Sequence, residues 1–518
     1  MHENRETSAV PEVVTGRSGK AYGQTSDMYA AEESDFGVVP MNQPNNSGKP
    51  SAEAGEGRPE IKENIAQSNT QPTQSGAGMS QGLSGVRKRA KERKQEKFTA
   101  LMHHLTVDLL RESYFALQRK AAPGVDGETW QQYGTGLEER LADLHNRVHR
   151  GAYRAKPSRR VFIPKADGRQ RPLGIAALED KVVQQAVVTV LNQIYEADFK
   201  GFSYGFRPGR SPHQALDALY VGLVRSKVNW VLDADIRSFF DRMSHEWTMQ
   251  FVQHRVADNR ILRLIQKWLR AGVLEEGEWK ETAMGTPQGA VISPLLANVY
   301  LHYVFDLWAE AWRRKVARGQ VVVVRYADDL VVGFQNKADA GRFLKEFEER
   351  LAKFGLESHP EKTRLLEFGR FAAVDRRKRG EKKPETFTFL GFVHQCGTSP
   401  RGLFMIWRQT ANKRMVAKLK QIKQTLRRRM HEPLGQTGTW LRSVAQGFYQ
   451  YHAVPGNLRA MNTFRHRLRR LWRSTLRHRS QRPNVSWQRI GPLFDRWLPA
   501  PRVLHPYPDA RFDATHPR

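Results

Sequence analysis

The sequence predicts an α+β protein with a split sheet at its centre and a helical region after it. Residues 229–236 (NWVLDADI) have the composition of a short buried strand, and residues 321–334 have that of two apolar strands joined by a tight turn. Amphipathic helical patterns occupy the chain between and around these strands. Beyond about residue 400 strand patterns fade and basic helices follow. Strands separated by helices, with a hairpin inserted, are typical of a split α/β sheet of the ferredoxin-like kind.

The N-terminal part is predicted to be a disordered, low-complexity tail over residues 1–95. Residues 1 to about 86 are rich in Gly, Ser, Pro, Gln and Glu and show no sustained period. The stretch VRKRAKERKQEK (86–97) then begins the basic part of the chain. It fits either a solvated helix start or a phosphate-binding arm.

Two stretches with strong helical periodicity predict core helices. In LEDKVVQQAVVTVLNQIY (178–195) the apolar stripe consists of Val183, Ala186, Val187, Val190, Leu191 and Ile194. In ILRLIQKWLR (261–270) it consists of Ile261, Leu264, Ile265, Trp268 and Leu269. Spacings of three and four residues place each set on one helix face, and core packing is the simplest use of such a face.

The region after residue 400 is predicted to form basic amphipathic helices. In RMVAKLKQIKQTLRRRM (414–430) the inward set is Val416, Leu419, Ile422 and Leu426, and the outward set is Lys418, Lys420, Lys423 and Arg427 to Arg429. In TWLRSVAQGFYQYH (439–452) the aligned residues are Trp440, Val444, Phe448 and Tyr451.

The charge of the chain indicates a polyanionic partner. The formal net charge is +31 and the pI is about 10.3, and the first 86 residues contribute none of this excess, since they hold more acidic than basic residues. A part this basic repels itself, and a nucleic-acid backbone is the natural counter-charge. A basic surface kept for solubility is one alternative. A membrane-surface protein is a weaker one, because no long amphipathic basic helix stands apart from the globular region.

The single cysteine and the hydropathy pattern exclude several classes. Cys396 alone can form neither an internal disulfide nor a multi-cysteine zinc site, and a small hydrophobe is its expected role. The opening MHENRETSAV lacks the features of a signal peptide, and the longest apolar stretch (290–305) is too short and interrupted to span a bilayer. We therefore expect a soluble, cytoplasmic protein without membrane contact.

Two acidic strand ends carry the chemistry. Asp328 and Asp329 lie side by side at the tip of the predicted hairpin, where like charges repel unless a cation lies between them. A solvated turn is the plainer reading, because Asp is common in hairpin loops. However, Asp235 also closes a strand. Carboxylates at two strand ends could together hold the two divalent cations that polymerising nucleotides requires. Mg²⁺ prefers a few carboxylates and leaves its other positions to phosphates and water.

Seven ordered motifs resemble one family. They are RRVFIPKADGRQRPLGI (159–175), SYGFRPGRS (203–211), DIRSFFD (235–241), GTPQGAVISPLLANVYL (285–301), YADD (326–329), KTRLLEFGR (362–370) and FTFLGF (387–392). Together they resemble the successive reverse-transcriptase blocks of bacterial group II intron-encoded proteins. A YxDD motif alone is weak, but seven blocks in order are specific. No cysteine follows Cys396, so the resemblance is to members that lack the zinc-stabilised endonuclease.

The resemblance implies a right-hand polymerase. Residues 96–398 correspond to fingers and a ferredoxin-like palm, residues 399–475 to a mostly helical thumb or maturase domain, and residues 476–518 to a basic segment that would be a reduced DNA-binding tail. The family's catalytic carboxylates correspond to Asp235, Asp328 and Asp329. Its metal set corresponds to these three and Ile236, holding two Mg²⁺ ions for which Mn²⁺ can substitute.

The resemblance also implies the substrate contacts. For the deoxynucleotide, Lys165 and Arg171 correspond to residues that grip the triphosphate, Gln288 borders the pocket, and Lys362 is a lysine near the nucleotide. Phe240 corresponds to the aromatic residue that excludes a 2′-hydroxyl by its volume. Surface ion pairs are the alternative for Lys165 and Arg171, and a plain core residue is the alternative for Phe240. The RNA-binding set is Lys418, Lys423, Arg427, Arg428, Arg469 and Arg470.

The implied function is an RNA-directed DNA polymerase encoded by a group II intron. It would extend a DNA primer on intron RNA and, as a maturase, bind that RNA to promote splicing and retrohoming. The implied partners are intron RNA and target DNA, and a homodimer is compatible with the sequence. Two alternatives stay open, namely a maturase without polymerase activity and a reverse transcriptase of a retron or diversity-generating element.

Overall fold

The computed structural model describes residues 81–164, 170–282, 284–286, 289–479 and 486–515. Residues 1–80 of the predicted disordered tail therefore lie outside the described residues. The first half of the described chain contains the helices α1 Gln81–Glu92, α2 Val107–Ala116, α3 Trp130–Tyr133, α4 Leu137–His149, α5 Leu178–Asp198, α6 Pro212–Arg225, α7 Phe239–Arg242, α8 His245–Gln253 and α9 Asn259–Arg270. The second half contains α10 Ser293–Leu301, α11 Leu307–Lys315, α12 Lys337–Lys353, α13 Ala372–Lys378, α14 Asn412–Arg428, α15 Leu434–His452, α16 Leu458–Arg479, α17 Trp487–Trp497 and α18 Pro508–Thr515.

The strands form three sheets. They are β1 Ser158–Pro164, β2 Gln170–Ile175, β3 Trp230–Ala234, β4 Val273–Glu275, β5 Glu278–Lys280, β6 Val321–Tyr326, β7 Asp329–Phe334, β8 Arg364–Glu367, β9 Phe387–Phe389, β10 Phe392–Thr398 and β11 Phe404–Thr410. The sheet orders are β2-β1-β4-β5, β11-β10-β9 and β6-β7-β3-β8. A 3-10 turn at Met102–His104 and a π-helical turn at His302–Asp306 complete the elements.

The sheet β6-β7-β3-β8, called the central sheet below, has the topology that the sequence predicts. All its neighbouring strands are antiparallel, and the helices from α7 to α11 separate β3 from the β6–β7 hairpin. Helix α12 then separates the hairpin from β8, which completes the βαββαβ order of a ferredoxin-like unit. The mixed α+β class, with a helical C-terminal region, is confirmed.

Both faces of the central sheet are buried, which explains why its strands are almost continuously apolar. Leu232 and Val332 point into one core, with α12, whereas Val231 and Val331 point into another, with α6. Successive side chains on a strand alternate between faces, so a strand covered on both sides needs apolar residues at every position. The predicted stripes on α5 and α9 are confirmed, because all their members are buried.

The predicted tail boundary at residue 95 is wrong, because residues 81–92 form helix α1. Leu83, Val86 and Ala90 on this helix are buried against the core that contains α5. The buried guanidinium of Arg255 donates to the carbonyl oxygens of Ala90, Arg93 and Glu96, the last two at 3.0 and 2.9 Å. Cationic side chains commonly satisfy the free carbonyls at a helix C-terminus, and here this contact fastens α1 to the fold.

The helical C-terminal region encloses its own core, formed by α14 to α17. On α14 and α15 the buried face differs from the predicted one. On α14 the stripe is Met415, Leu419, Ile422 and Leu426, and the predicted Val416 is 48% exposed. Val416 lies about 100° around the helix from Met415, outside the stripe that the other three define. On α15 the buried residues include Leu441, Ala445, Phe448 and Tyr449, whereas the predicted Trp440, Val444 and Tyr451 are half-buried.

The C-terminal helix α18 packs back onto α6. Asp217 of α6 is buried and binds both Arg408, at 3.0 Å, and Arg511 of α18. Arg225, at the end of α6, pairs with Asp509 and Asp513 of α18 at 3.1 and 2.8 Å. The DNA-binding role predicted for residues 476–518 remains a prediction.

Two smaller expectations concern Cys396 and the membrane. Cys396 is half-buried, and burial raises the pKa of its thiol to about 11, as expected for a small hydrophobe. Across the described ranges, the helices lack the combination of length and apolar character that crossing a bilayer would require.

Candidate active site

The strand register brings the three predicted catalytic carboxylates to one end of the central sheet. Tyr326 pairs with Asp329 across the hairpin, which leaves Ala327 and Asp328 in the turn. Strand β3 pairs with β7 up to Ala234 opposite Leu330. Asp235 therefore follows directly beside Asp329, at the same edge of the sheet.

A buried ion pair holds the turn from below. The fully buried Arg325 guanidinium donates to both carboxylate oxygens of Asp306, at 2.7 and 2.6 Å. Its third nitrogen donates to the Asn298 side-chain oxygen and to the Ala327 backbone carbonyl, both at 3.0 Å. The amide of Asn298 in turn donates to the Gly205 carbonyl at 2.8 Å. The Ala327 carbonyl in the turn is thus held by Arg325, and Arg325 is itself held by side chains from two other elements.

The charge state of this pair follows from its surroundings. Burial favours the neutral acid, but the adjacent Arg325 charge and the hydrogen bonds from Arg325 outweigh it, so the pKa of Asp306 is lowered. Asp306 ends the π-helical turn between α10 and α11, and π-turns of this kind occur frequently at functional sites. Asp306 therefore stays ionised at neutral pH and accepts both hydrogen bonds from Arg325.

Gly205 allows the chain to pass close to the turn. The amide of Tyr204 donates to the Arg325 carbonyl, and the amide of Arg325 donates to the Phe202 carbonyl, both at 2.9 Å. A Cβ on Gly205 would lie 2.2 Å from the Ala327 nitrogen, which is shorter than any real contact of this kind. Ala327 itself has a positive φ of 55°. The SYG part of the motif SYGFRPGRS therefore supports the acidic turn from the side.

Asp235 has a fixed cationic neighbour. The Lys362 ammonium lies 3.1 Å from an Asp235 carboxylate oxygen, with both side chains mostly buried. The Asp235 carbonyl accepts the amide of His359 at 2.8 Å, and Ile236 forms an antiparallel bridge with Ser358. The side chain of Ile236 is buried, so only its backbone can offer an oxygen to a ligand.

The donor set suits a hard cation that keeps other ligands. Among the described residues, no group of three or more His, Cys, Asp or Glu side chains is arranged to hold a metal ion. The oxygens that this edge offers are those of Asp235, Asp328 and Asp329 and the Ile236 carbonyl. Oxygen ligands in small number fit Mg²⁺, which commonly completes its coordination with substrate phosphates and water.

Phe240 follows this edge of the sheet in the chain, and its burial is intermediate between that of a core residue and that of a surface residue. Its ring is half-buried and packs edge-on against the fully buried Phe239, at a centroid distance of 5.4 Å. The Phe240 carbonyl accepts the amide of Thr286 at 2.9 Å. The residue is therefore anchored by the core and by the GTPQG segment while part of its ring stays accessible.

For the remaining predicted nucleotide-binding residues, the structure describes only the neighbouring segments of chain. Lys165, Gln288 and the side chain of Arg171 lie outside the described residues. The segment before Gln288 reaches Phe240 through Thr286, and the segment after it begins at Gly289, whose added Cβ would lie 2.8 Å from the Gly174 carbonyl of β2. The ends of this segment thus lie against α7 and β2.

Comparison with known proteins identifies the domain that carries these features. Residues 163–394 match the family described as reverse transcriptase (RNA-dependent DNA polymerase). Protein YkfC of Escherichia coli (strain K12) is 36% identical over 40% of this chain and 62% of its own length. The group II intron-encoded protein LtrA of Lactococcus lactis subsp. cremoris is 34% identical over 42% of this chain and 37% of its own length. A 91 kDa protein in the cob intron of Schizosaccharomyces pombe is 42% identical over 28% of this chain and 18% of its own.

Residues 163–394 therefore match a reverse transcriptase domain, and the chain is similar to group II intron-encoded proteins. Each match spans less than two thirds of the relative's length. The range of the domain match includes all three carboxylates and the buried Arg325 pair. Reverse transcriptase domains of this family generally use divalent metal ions, which agrees with the oxygen donors at the edge of the sheet.

The six predicted RNA-binding residues differ in exposure. Lys423, Arg427 and Arg428 on α14 and Arg470 on α16 are exposed. Lys418 is half-buried and donates to Gln421 at 3.1 Å. Arg469 is half-buried, with its guanidinium 5.6 Å from the ring centroid of Phe494. Four of the six are therefore accessible to a polyanion, and the other two also serve the packing of their helices.

Sequence reasoning missed the support beneath the acidic turn. Arg325, Asp306, Asn298 and Gly205 make it, and none of them was predicted as a site residue. One signal was present: Arg325 directly follows four valines (321–324) in a strand that is otherwise apolar and predicted to be buried. A charged residue in such a strand needs a buried partner, but the sequence does not say which carboxylate supplies it.

Proposed function

We propose that this protein is an RNA-directed DNA polymerase encoded by a group II intron, and that it also acts as the maturase of that intron. The observation that carries the proposal is the register that places Asp235, Asp328 and Asp329 at one edge of the central sheet. The buried Arg325–Asp306 pair supports it, since catalytic groups must be held rigidly to be productive. In this proposal the central sheet is the polymerase palm, the β1–β2 hairpin belongs to the fingers, and α14 to α17 form the thumb.

Two Mg²⁺ ions, or Mn²⁺ in their place, would be held by Asp235, Asp328, Asp329 and the Ile236 carbonyl. When bound, they lower the pKa of the primer 3′-hydroxyl and neutralise charge on the triphosphate. The chain's own residues hold the geometry: Lys362 orients Asp235, and Arg325 fixes the Ala327 carbonyl and hence the direction of Asp328. Lys165, Arg171 and Gln288 bind the incoming deoxynucleotide, and Phe240 lies beneath its sugar.

The maturase role rests on charge and on the relatives. The exposed cations of α14 and α16 suit contact with RNA phosphates, and the net charge of +31 supports a large polyanionic partner. One relative is named a group II intron-encoded protein, and another is named nuclear intron maturase 1 of Arabidopsis thaliana. The RNA partner is the intron, and retrohoming adds target DNA as a second partner.

Primer extension tests the polymerase. Wild-type protein is incubated with a DNA primer on an RNA template, Mg²⁺ and deoxynucleotides, beside Asp328→Ala. We expect extension by the wild type only, and RNA binding by both within a few-fold, because the carboxylates serve the metals and not the RNA grip. Binding without synthesis by folded wild-type protein would favour a maturase that only assists splicing.

A further inference from the structure

Helix α13 carries an exposed basic and apolar surface that the proposed function does not use. It follows β8 and precedes β9, and the basic run RRKRGEKK (376–383) begins in its last turn and continues beyond its end. We call the set Phe371, Val374, Arg377, Lys378, Lys382 and Lys383 the α13 face. All six residues are exposed, Phe371 by 55% and Val374 by 51%.

The sides of α13 divide cleanly between the fold and the solvent. Phe371, Val374 and Lys378 are spaced by three and four residues and therefore share one side of the helix. Ala372 on another side is buried, and Asp375 and Arg376 beside it are half-buried. An apolar pair on the solvent side is thus not explained by the packing of the helix.

The cations on and after α13 fall into two groups, those that form ion pairs with nearby carboxylates and those that are exposed to solvent. Arg376 and Arg379 bind the nearby carboxylates: Arg379 pairs with Glu367 and Glu381, and Arg376 lies 3.3 Å from Glu381 and 3.9 Å from Glu385. In contrast, Arg377, Lys378, Lys382 and Lys383 form no ion pair within the ranges that the structure describes. Glu367, Glu381 and Glu385 are therefore already engaged by Arg376 and Arg379, and the four other cations are exposed on the same segment as Phe371.

The α13 face lies at the opposite end of the central sheet from the catalytic carboxylates. Strand β8 runs from Arg364, opposite Asp233, to Glu367, opposite Trp230. Five residues of extended chain separate Trp230 from Asp235, which corresponds to about 17 Å. Nucleic acid on this face is therefore not the template segment at the primer end.

We propose that the α13 face is a second RNA-binding surface that holds a part of the intron RNA that is not being copied. The four cations contact phosphates, and Phe371 stacks on an unpaired base. RNA fits better than a duplex of DNA, because stacking needs a base that is free of its partner strand. This inference rests on the proposed maturase function, since it assigns an additional contact to the same RNA partner.

A charge-removal variant tests the surface. The quadruple change Arg377→Gln, Lys378→Gln, Lys382→Gln and Lys383→Gln removes the four cations without adding charge. The matched control is Lys315→Gln, Arg318→Gln, Lys345→Gln and Lys353→Gln, four exposed cations on and near α11 and α12, where Glu348 and Glu349 are also exposed. Affinity is measured over a series of salt concentrations with a labelled, folded group II intron transcript.

We expect the quadruple variant to bind the transcript about tenfold or more weakly near 0.1 M salt, and its salt slope to fall by about 3, since each lost phosphate contact removes about 0.7 to 0.9. The control should stay within about twofold of wild type. Phe371→Ala should weaken binding of the transcript about fivefold or more. Phe371→Trp should bind it as the wild type does, because both the phenylalanine and the tryptophan ring can stack on a base. Primer extension on a short RNA template should be unchanged in all of them, which also shows that they fold.

Other outcomes would overturn the assignment. Unchanged affinity in the quadruple variant, or equal loss in the control, would show that the face makes no specific RNA contact. Loss of binding to a labelled DNA duplex but not to the transcript would assign the face to DNA. Wild-type protein that extends primers but does not bind the transcript would remove the maturase role and this surface together, whereas normal binding by the quadruple variant would remove the surface alone.

Discussion

Arg325 and Asp306 form a fully buried, bidentate ion pair directly beneath the turn that carries Asp328. The same guanidinium donates to the Ala327 carbonyl, so one side chain joins the π-helical turn to the acidic hairpin. The pair connects folding to chemistry, because it both neutralises a buried charge and fixes the backbone of the turn.

Removing one partner of this pair should destabilise the protein strongly. We expect Asp306→Ala to lower the free energy of unfolding by about 3 to 5 kcal/mol, because Arg325 would remain buried without its counter-charge. The double variant Arg325→Met with Asp306→Leu should recover most of that loss, since apolar residues can replace a buried pair. Primer extension should stay impaired in the double variant, because the Ala327 carbonyl has lost its donor. Denaturant unfolding and extension assays measure the two effects, and full activity in the double variant would contradict a positioning role.

The close approach of Gly205 to the turn predicts a sharp effect of one methyl group. Gly205→Ala should reduce primer extension at least tenfold, because its Cβ would force the Ala327 nitrogen away and shift Asp328. Gly201→Ala is the matched control, since nothing lies within 4 Å of the methyl that it adds. Equal activity of the two variants would show that the turn tolerates displacement.

Phe240 should set the choice of sugar. Phe240→Ala should accept ribonucleotides, raising their efficiency relative to deoxynucleotides, because the volume that would exclude a 2′-hydroxyl is lost. Phe239→Leu serves as the contrast: this ring is fully buried, so the change should lower stability and leave the ratio as it was. Extension with each nucleotide type gives the ratio, and an unchanged ratio in Phe240→Ala would assign the residue to the core.

The half-buried His213 should make the fold sensitive to mild acid. Burial, and then the nearby His505, Arg511, Arg408 and His452, lower the pKa of His213 to about 3. Between pH 6.5 and 3 the unfolded chain binds a proton at this position and the folded chain does not, so stability falls as pH falls through that window. The slope is at most about 1.4 kcal/mol per pH unit for one such group.

The matched test replaces His213 with Phe. Both ring nitrogens of His213 lack a hydrogen-bond partner within the described structure, so the loss at pH 8 should be small. Unfolding experiments at each pH measure the free energy of unfolding. Between pH 6.5 and 5 it should fall more steeply with falling pH in the wild type than in His213→Phe, and the difference in slope should correspond to about one bound proton. Parallel curves for the two proteins would show that His213 titrates normally.

Local pattern was sufficient for much of the fold. The stripes on α5 and α9 lie in the core as predicted, because several apolar residues at helical spacing allow only one buried face. The prediction failed on α14, where Met415 and Val416 are adjacent and both apolar, so the choice between them depended on the neighbouring helices. The boundary at residue 95 failed because polar and basic residues dominate 81–92, and its three buried side chains gain their partners only from α5 and Arg255.

What the sequence by itself determined was which residue types the candidate site can use: the acidic strand ends at Asp235 and Asp328, the aromatic ring of Phe240 and the basic helices after residue 400. These depend on residue type and near spacing, which can be read along the chain. Only the tertiary structure decided how the acidic turn is held, because Gly205, Asn298, Asp306 and Arg325 come together across about 120 residues of sequence. A buried charge must find its partner in three dimensions, and no local pattern specifies which of many distant carboxylates the folded core will place beside it.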